Sequence, residues 1–542
     1  MAKVKQPLEE NGIHRAKMWE IMMYALNNTS TNTYMMVVGY ISYFLIGIVG
    51  LASVLAGSIV TIMRIWDGVT DPFVGMMVDK TNGKFGKNRP FIVIGQIIMF
   101  ATTFVMFNFI PKMGTGVRFV AFIIIYMIYI IGYTCQCVVT KSAQTCLTND
   151  PKQRPIFAMC DTVYNIILMN IVIPVIVTDS LVPKFTLTAE ANAAEITSLV
   201  AQNPALAGIV EKSGGNLSAF YNPGLFTTMQ LMFGGLSAVF AVCAIIALWR
   251  KDNPKYFGLG TTQKVGVKDY VDTLAHNRAI QMLVVSASTD KLFMSTMSNS
   301  TVMICLFGII FGNYAAFSSY SQITSIPIAL ISILLMNKIA RQMGQKASMM
   351  AGTYGGIIGS IIITLFLVFV NPRGDASKFA IPAFRIIRPD TWGTLFTGWS
   401  AVGLIFILLV IAWRGVQALS SSIVITMTAD CADYEVYRTG KYVPGLMGTL
   451  FSFVDKLVSS LAATLVALFY SMAGFKDALP DTLTPYSDGI FWATIGCFVL
   501  LPIVGWLCNV VAMHFYPLTK EKMEEIQAEI GRIKAEAAAK QA

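Results

Sequence analysis

Apolar runs of about 20 residues recur along this 542-residue chain, such as "AFIIIYMIYIIGYTCQCVV" at 121–139. A run of that length crosses the hydrocarbon of a bilayer as a helix. No water is available there to satisfy the backbone in any open form, so only helices and closed barrels can span. The period-two alternation of barrel strands is absent. With 55% hydrophobic and only 13% charged residues, an ordinary soluble fold is excluded, and an all-α membrane protein is expected.

Apolar runs separated by polar or turn-rich segments give twelve expected transmembrane helices. They lie near 20–50, 54–78, 91–110, 117–147, 156–182, 226–249, 279–311, 318–341, 347–370, 396–426, 446–473 and 489–515. An even count puts both termini on one side. The termini and the loops near 79–90, 149–155, 250–278, 338–346 and 435–445 collect about 26 Lys and Arg, against about 9 in the opposite loops, which makes the termini cytoplasmic. The polar stretch 250–278 then links a six-helix half, 1–249, to a second, 279–515, followed by a tail, 516–542. Such a plan resembles the major facilitator fold, whose solute sites lie between the halves. Two outer insertions, 184–221 with its alanine-rich "TAEANAAEITSLVAQ" and 371–392, read as passive surface elaborations or as a lid or partner surface. The mixed-charge tail reads as a solvated cytoplasmic helix.

Other function classes are excluded on simple grounds. The net charge of +10 sits in short loops, where membrane topology already requires it, so no nucleic-acid partner is implied. The nine cysteines, among them Cys135, Cys137, Cys243, Cys305 and Cys508, lie mostly in apolar stretches without framework spacing, and only three histidines exist. These cysteines read as small packing residues, not as metal ligands or disulfides. The N-terminus lacks the apolar core of a cleaved signal peptide. No phosphate-cradling GxxxxGK and no Ser/His/acid motif occurs, so neither an ATP-driven pump nor a hydrolase is expected. Asn216-Leu217-Ser218 fits a glycosylation sequon, which has no meaning in a bacterium.

The second run carries the chemistry. In "RIWDGVTDPFVG", Asp67 and Asp71 stand i,i+4 on one helix face with Thr70 beside them. A carboxylate facing lipid costs at least about 2.5 kcal/mol, so both look into the bundle. Their mutual repulsion is relieved by a bound monovalent cation, a shared proton or a basic partner, and Arg64 one turn away can serve as that partner.

The stretch "RIWDGVTDPFVGMMVDKTNGKFGKNRPFIVIG" and a second, "MTADCADYEVYRTGKYVPGLMGTLFSFVDK", resemble the signature segments of the glycoside-pentoside-hexuronide cation symporters, the family of the bacterial melibiose carrier. The resemblance implies a major facilitator fold and a cation site at Asp67 and Asp71, with Thr70 and with Thr134 on helix four as oxygen ligands for sodium, if the coupling ion is not a proton. The positions matching the melibiose carrier's sugar site are altered. Thr31 and Cys137 stand at its aspartates, Lys141 and Ser421 at its aromatics, and Thr162 at its helix-five arginine, while the helix-eleven lysine persists as Lys456. Galactoside specificity is therefore not implied.

A different polar set takes their place. Thr134, Cys137 and Lys141 share a face at i, i+3 and i+7. Asp161 and Asn165 share another, and helix one opens with "NNTSTN" from Asn27 to Asn32. Helix seven supplies Thr289, Asp290 and Lys291, and helices ten and eleven supply Ser420, Ser421, Asp455 and Lys456. Lys141 either pairs with Asp161 or snorkels to the cytoplasmic surface. Asp430 and Asp433, with Glu435 and Arg438, read as a gating cluster or as solvated loop charges. The expected function is a cation-coupled secondary active symporter for a glycoside, oligosaccharide or hexuronide. It needs no cofactor beyond its coupling ion, sodium or a proton. It works as a monomer in the bacterial inner membrane, with the lipid bilayer, the cation and a small-molecule solute as partners. The rival readings are a lysolipid or amphiphile carrier on the same fold and a sensor or scaffold that binds solute without turnover.

Overall fold

Asparagine marks several helix starts in the computed structural model, which describes residues 15–81, 83–148, 153–173, 175–253, 275–382, 391, 393, 397–439, 454–476, 478–526, 528, 529 and 532. Numbering only the helices that fall on the expected spans, the first group is α1 (Met18–Gly39), α2 (Ser53–Lys80), α3 (Arg89–Asn108), α4 (Thr115–Ser142), α5 (Arg154–Ile167) and α6 (Pro223–Leu248). The second is α7 (Arg278–Met297), α8 (Tyr314–Met343), α9 (Gln345–Val370), α10 (Ala401–Thr439), α11 (Ala462–Met472) and α12 (Asp488–Ile495, continued by Leu501–Phe515). The Asn222, Asn277 and Asn313 side chains accept from the first free N–H groups of α6, α7 and α8. Among the described residues there are no strands beyond isolated bridges at Gly83–Gly86 and Leu187–Leu217.

Seven described helical segments are long and apolar enough to cross a membrane, and nine if two bent pairs each count as one span. Those pairs are α1 with Ile41–Val49, bent by 41°, and α7 with Ser300–Ile310, bent by 44°. Each ends in a π-helical turn, Leu45–Val49 or Cys305–Ile310, so the leading helix of each group is broken in the same way. This is an internal repeat in shape.

The helices form two compact units, α1–α6 and α7–α12. In the first, α1 packs on α6 and α4 on α2 and α3. Close approach of α3 and α4 depends on Gly95 and Gly132, since a Cβ on Gly95 would sit 2.7 Å from the Gly132 carbonyl oxygen. In the second, Gly352, Gly355 and Gly359 run along α9 at i, i+3 and i+7, and added Cβ atoms would strike Ser420, Val416 and Trp413 of α10.

Three expectations change. The insertion at 184–221, expected at the surface, is packed into its unit. Ile196, Leu206, Ile209, Phe220 and Tyr221 are buried. Buried Arg118 donates to the carbonyls of Met113 (2.6 Å), Ile48 (3.0 Å), Pro111 (2.9 Å) and Gln202 (3.2 Å), which ties the insertion to the segment Ile41–Val49 and to the start of α4. Helix α10 runs 13 residues beyond its expected end at 426, because the buried stripe Leu419, Ile423, Met427 and Cys431 continues its i,i+4 spacing after the apolar run stops. The tail is partly packed: Leu518 and Ile526 join the core of the second unit with Tyr516.

Candidate functional site

Helix α2 lies against α4, where the indole N–H of Trp66 donates to the Met127 carbonyl at 3.3 Å. That packing brings Thr134 onto the Asp67 face. Asp67 is 3% exposed, and Thr70 and Thr134 are also buried. Thr134 Oγ1 donates to Asp67 Oδ1 at 3.2 Å, Thr70 Oγ1 donates to the Asp67 carbonyl at 3.0 Å, and the two hydroxyl oxygens lie 3.0 Å apart. Two hydroxyl protons thus serve three contacts. The donors are all hard oxygen, which fits an alkali cation, and the carboxylate alone fits a proton. Asp71, one turn on, is half-buried. Arg64 is exposed, with its charge within Coulombic range of Asp67 and of Tyr126, Tyr129 and Tyr133.

A second cluster joins α1 to α5. Asp161 accepts from Asn28 Nδ2 (2.8 and 3.0 Å) and from Asn165 Nδ2 (2.9 Å), and Asn165 Oδ1 accepts from Asn32 Nδ2 at 2.6 Å. The side chain of Lys141, the expected partner of Asp161, lies outside the described residues, as does that of Ser421. Cys137 is half-buried. Thr31 is buried, and its hydroxyl contacts the Asn27 carbonyl (3.0 Å) and Gln136 Oε1 (3.2 Å). It belongs to a network that the sequence reading missed: Gln136 Nε2 donates to Gln96 Oε1 at 3.0 Å, and Ser30 and Ser237 exchange bonds at 2.8–3.0 Å. Glutamines inside the apolar runs of α3 and α4 were its visible signal.

In the second unit, buried Asp290 accepts from Trp506 Nε1 at 2.8 Å and lies 3.5 Å from Ser420 Oγ. Lys291 pairs with Asp455, and Lys456 is half-buried. An intramembrane arginine, Arg414, also went unnoticed, although "LLVIAWRGVQ" displays it openly.

Charged residues at the helix ends form two further groups. Three consecutive residues after α6 each grip a different segment. Arg250 pairs with buried Glu20 at 2.9 Å, Lys251 Nζ donates to the Leu147 carbonyl at 2.7 Å, and Asp252 caps the start of α3. Burial lowers the Lys251 ammonium to about 8. These residues were expected to begin a linker and instead belong to the first unit. At the far end of α10, Glu435 accepts from Asn277 (2.8 Å) and Arg438 (2.8 Å), so these are ordered helix charges. Burial, and then neighbouring Asp433, push the half-buried Asp430 carboxyl up to about 6 against a bond from Gln345. The folded chain therefore favours neutral Asp430. That contribution to stability is complete below about pH 4 and is lost as pH rises through about 6. Asp430→Asn should melt higher than the parent at about pH 7.5 and level with it at about pH 4 in fluorimetric unfolding. An equal gain at both values contradicts this assignment.

The family described as MFS/sugar transport protein matches residues 24–520. The chain belongs to this family. This MFS sugar-transport protein is thus a carrier and no enzyme, and the match agrees with the resemblance carried by its two signature segments. It is similar to the isoprimeverose transporter of Lactiplantibacillus pentosus, 22% identical with 92% of this chain and 89% of that protein covered. It is also similar to the glucuronide carrier protein homolog of Escherichia coli (strain K12), 20% identical with 94% of each covered. A crystal structure of the nucleoside transporter NupG superposes with a TM-score of 0.56 at 12% identity, covering 93% of this chain and all of that one, which shows a shared fold.

Proposed function

We propose that this MFS sugar-transport protein is a cation-coupled symporter that takes up a glycoside, oligosaccharide or hexuronide across the bacterial inner membrane by alternating access. Twelve helices, both termini cytoplasmic and a single chain as the working unit complete the reading. The observation that carries it is the buried all-oxygen cluster of Asp67, Thr70 and Thr134 on facing helices. The two threonine hydroxyls favour sodium, since a proton requires the carboxylate alone. Relatives named for isoprimeverose and for glucuronide support a sugar cargo. Asp71 shares the cation's charge, and Arg64 serves as a gating charge beside the site with Asp430, Asp433 and Arg438 farther along. Lys141, Asp161, Asn165, Thr31, Cys137, Asp290, Ser421 and Lys456 are the proposed solute-binding set.

Uptake of labelled glycosides into proteoliposomes tests this directly. An imposed sodium gradient at constant pH should drive accumulation above equilibrium, and soluble sugars should compete. Uptake that ignores both sodium and proton gradients contradicts symport, and competition by lysolipid but not by sugar points to an amphiphile carrier.

A further inference from the structure

Helices α7 and α12 pack side by side, and a cavity of about 450 Å³ opens along their outer seam. Its walls are Met282 and Val285 of α7 and Val504, Leu507, Val511 and Phe515 of α12, and its floor is Cys508 and Ala512, small side chains one turn apart. Val285 and the four wall residues of α12 are exposed, so the groove opens outward from its unit and, in a membrane, toward lipid. From Val504 to Phe515 it follows about 16 Å of helix, the depth of one leaflet in a hydrocarbon core about 30 Å thick.

One end of this groove carries a cation. Arg278, Met282 and Val285 stand at i, i+4 and i+7 and so share a face of α7. The exposed Arg278 guanidinium lies 5.3 Å from the centroid of the Phe515 ring, the last residue of the α12 wall. Helix α7 begins at Arg278 and α12 ends at Phe515, so both mark the same surface of the span. Among the described residues no carboxylate pairs with Arg278.

An apolar channel one leaflet deep with a positive mouth is complementary to an acyl chain below an anionic headgroup. We propose that this seam holds a phosphatidylglycerol, with one acyl chain along the groove and its phosphate on Arg278. The phosphodiester carries a single negative charge and presents only acceptor oxygens to the guanidinium fork, whereas phosphatidylcholine would bring a trimethylammonium against the same arginine. A second copy of this chain fits less well, because a two-fold axis through the seam would bring like charges together. The lipid is a resident of the scaffold and not cargo, so the inference stands apart from the symport reading.

Native mass spectrometry of the purified full chain, titrated with dioleoyl phosphatidylglycerol or dioleoyl phosphatidylcholine, tests it. The parent should bind its first phosphatidylglycerol about tenfold tighter than its first phosphatidylcholine. Arg278→Gln should bring the two lipids level, and Arg278→Lys, which keeps the charge but not the fork, should restore part of the preference. Lys378→Gln removes one exposed charge beyond the far end of α9 and should change nothing. Val511→Trp fills the groove from an exposed position and should weaken both lipids. Equal affinity of the parent for the two lipids overturns the proposal, as does a preference that survives Arg278→Gln. Equal losses in Arg278→Gln and Lys378→Gln would mark a diffuse surface attraction, and a lipid-free dimer that Val511→Trp disperses would give the groove to a second copy; either result also overturns it.

Discussion

Asp67→Asn should reduce cation-driven sugar accumulation by ~100-fold, to the level of passive equilibration, while the protein remains folded. The substitution keeps the shape of a buried side chain and an oxygen to accept from Thr134 Oγ1, which lies 3.2 Å away. It removes the charge that holds a cation among the hydroxyls of Thr70 and Thr134. Because coupling is a free energy between two sites, loss of the cation's preference for one conformation removes its pull on the solute even if solute still binds. Facilitated exchange of sugar down its own gradient should therefore persist. A variant that still concentrates sugar against a gradient places the coupling charge elsewhere, with Asp71 the first alternative on the same face.

The second large effect is structural. Buried Asp252 accepts from the backbone N–H groups of Lys87 (3.1 Å), Asn88 (2.9 Å) and Arg89 (2.9 Å) and from Asn88 Nδ2 (3.0 Å), and it lies 3.6 Å from the Arg89 guanidinium. One carboxylate thus satisfies the open N–H groups at the start of α3. The chain turns sharply to present them: Gly86 has φ +89°, and a Cβ there would meet the Asp252 carboxylate at 2.2 Å. Asp252→Ala leaves these donors and a cation buried without their acceptor, at a cost of about 3–5 kcal/mol, and should lower the melting temperature in detergent by roughly 10 °C. Asp252→Asn, which keeps the shape, should lose less. A change within about 1 °C for the alanine variant shows that other contacts hold the loop.

The membrane class, the helical make-up and the shared helix of Asp67 and Asp71 were all legible from residues close together in sequence. Apolar run length reports burial in lipid, and an i,i+4 pair of aspartates reports a shared face. The capping role of Asp252 was not legible, because its partners lie more than 160 positions away and only tertiary structure joins them. Likewise Gln96 and Gln136 looked like isolated polar residues in apolar runs, and nothing local says that they bond each other at 3.0 Å. The continuation of α10 to Thr439 could have been read from its stripe through Cys431, but the charges at Asp430, Asp433 and Glu435 resembled a loop. The bend in α1 follows Gly39 with no proline to announce it.

Equilibrium binding to the purified protein tests the central claim most directly. Sodium affinity should be measured with and without saturating sugar, and sugar affinity with and without saturating sodium, in the parent and in Asp67→Asn. If Asp67 holds the coupling ion, each ligand should tighten the other by the same factor in the parent, about 5- to 150-fold, and that factor should fall to one in the variant. Sugar affinity indifferent to cations in the parent, or a coupling factor unchanged by Asp67→Asn, contradicts it.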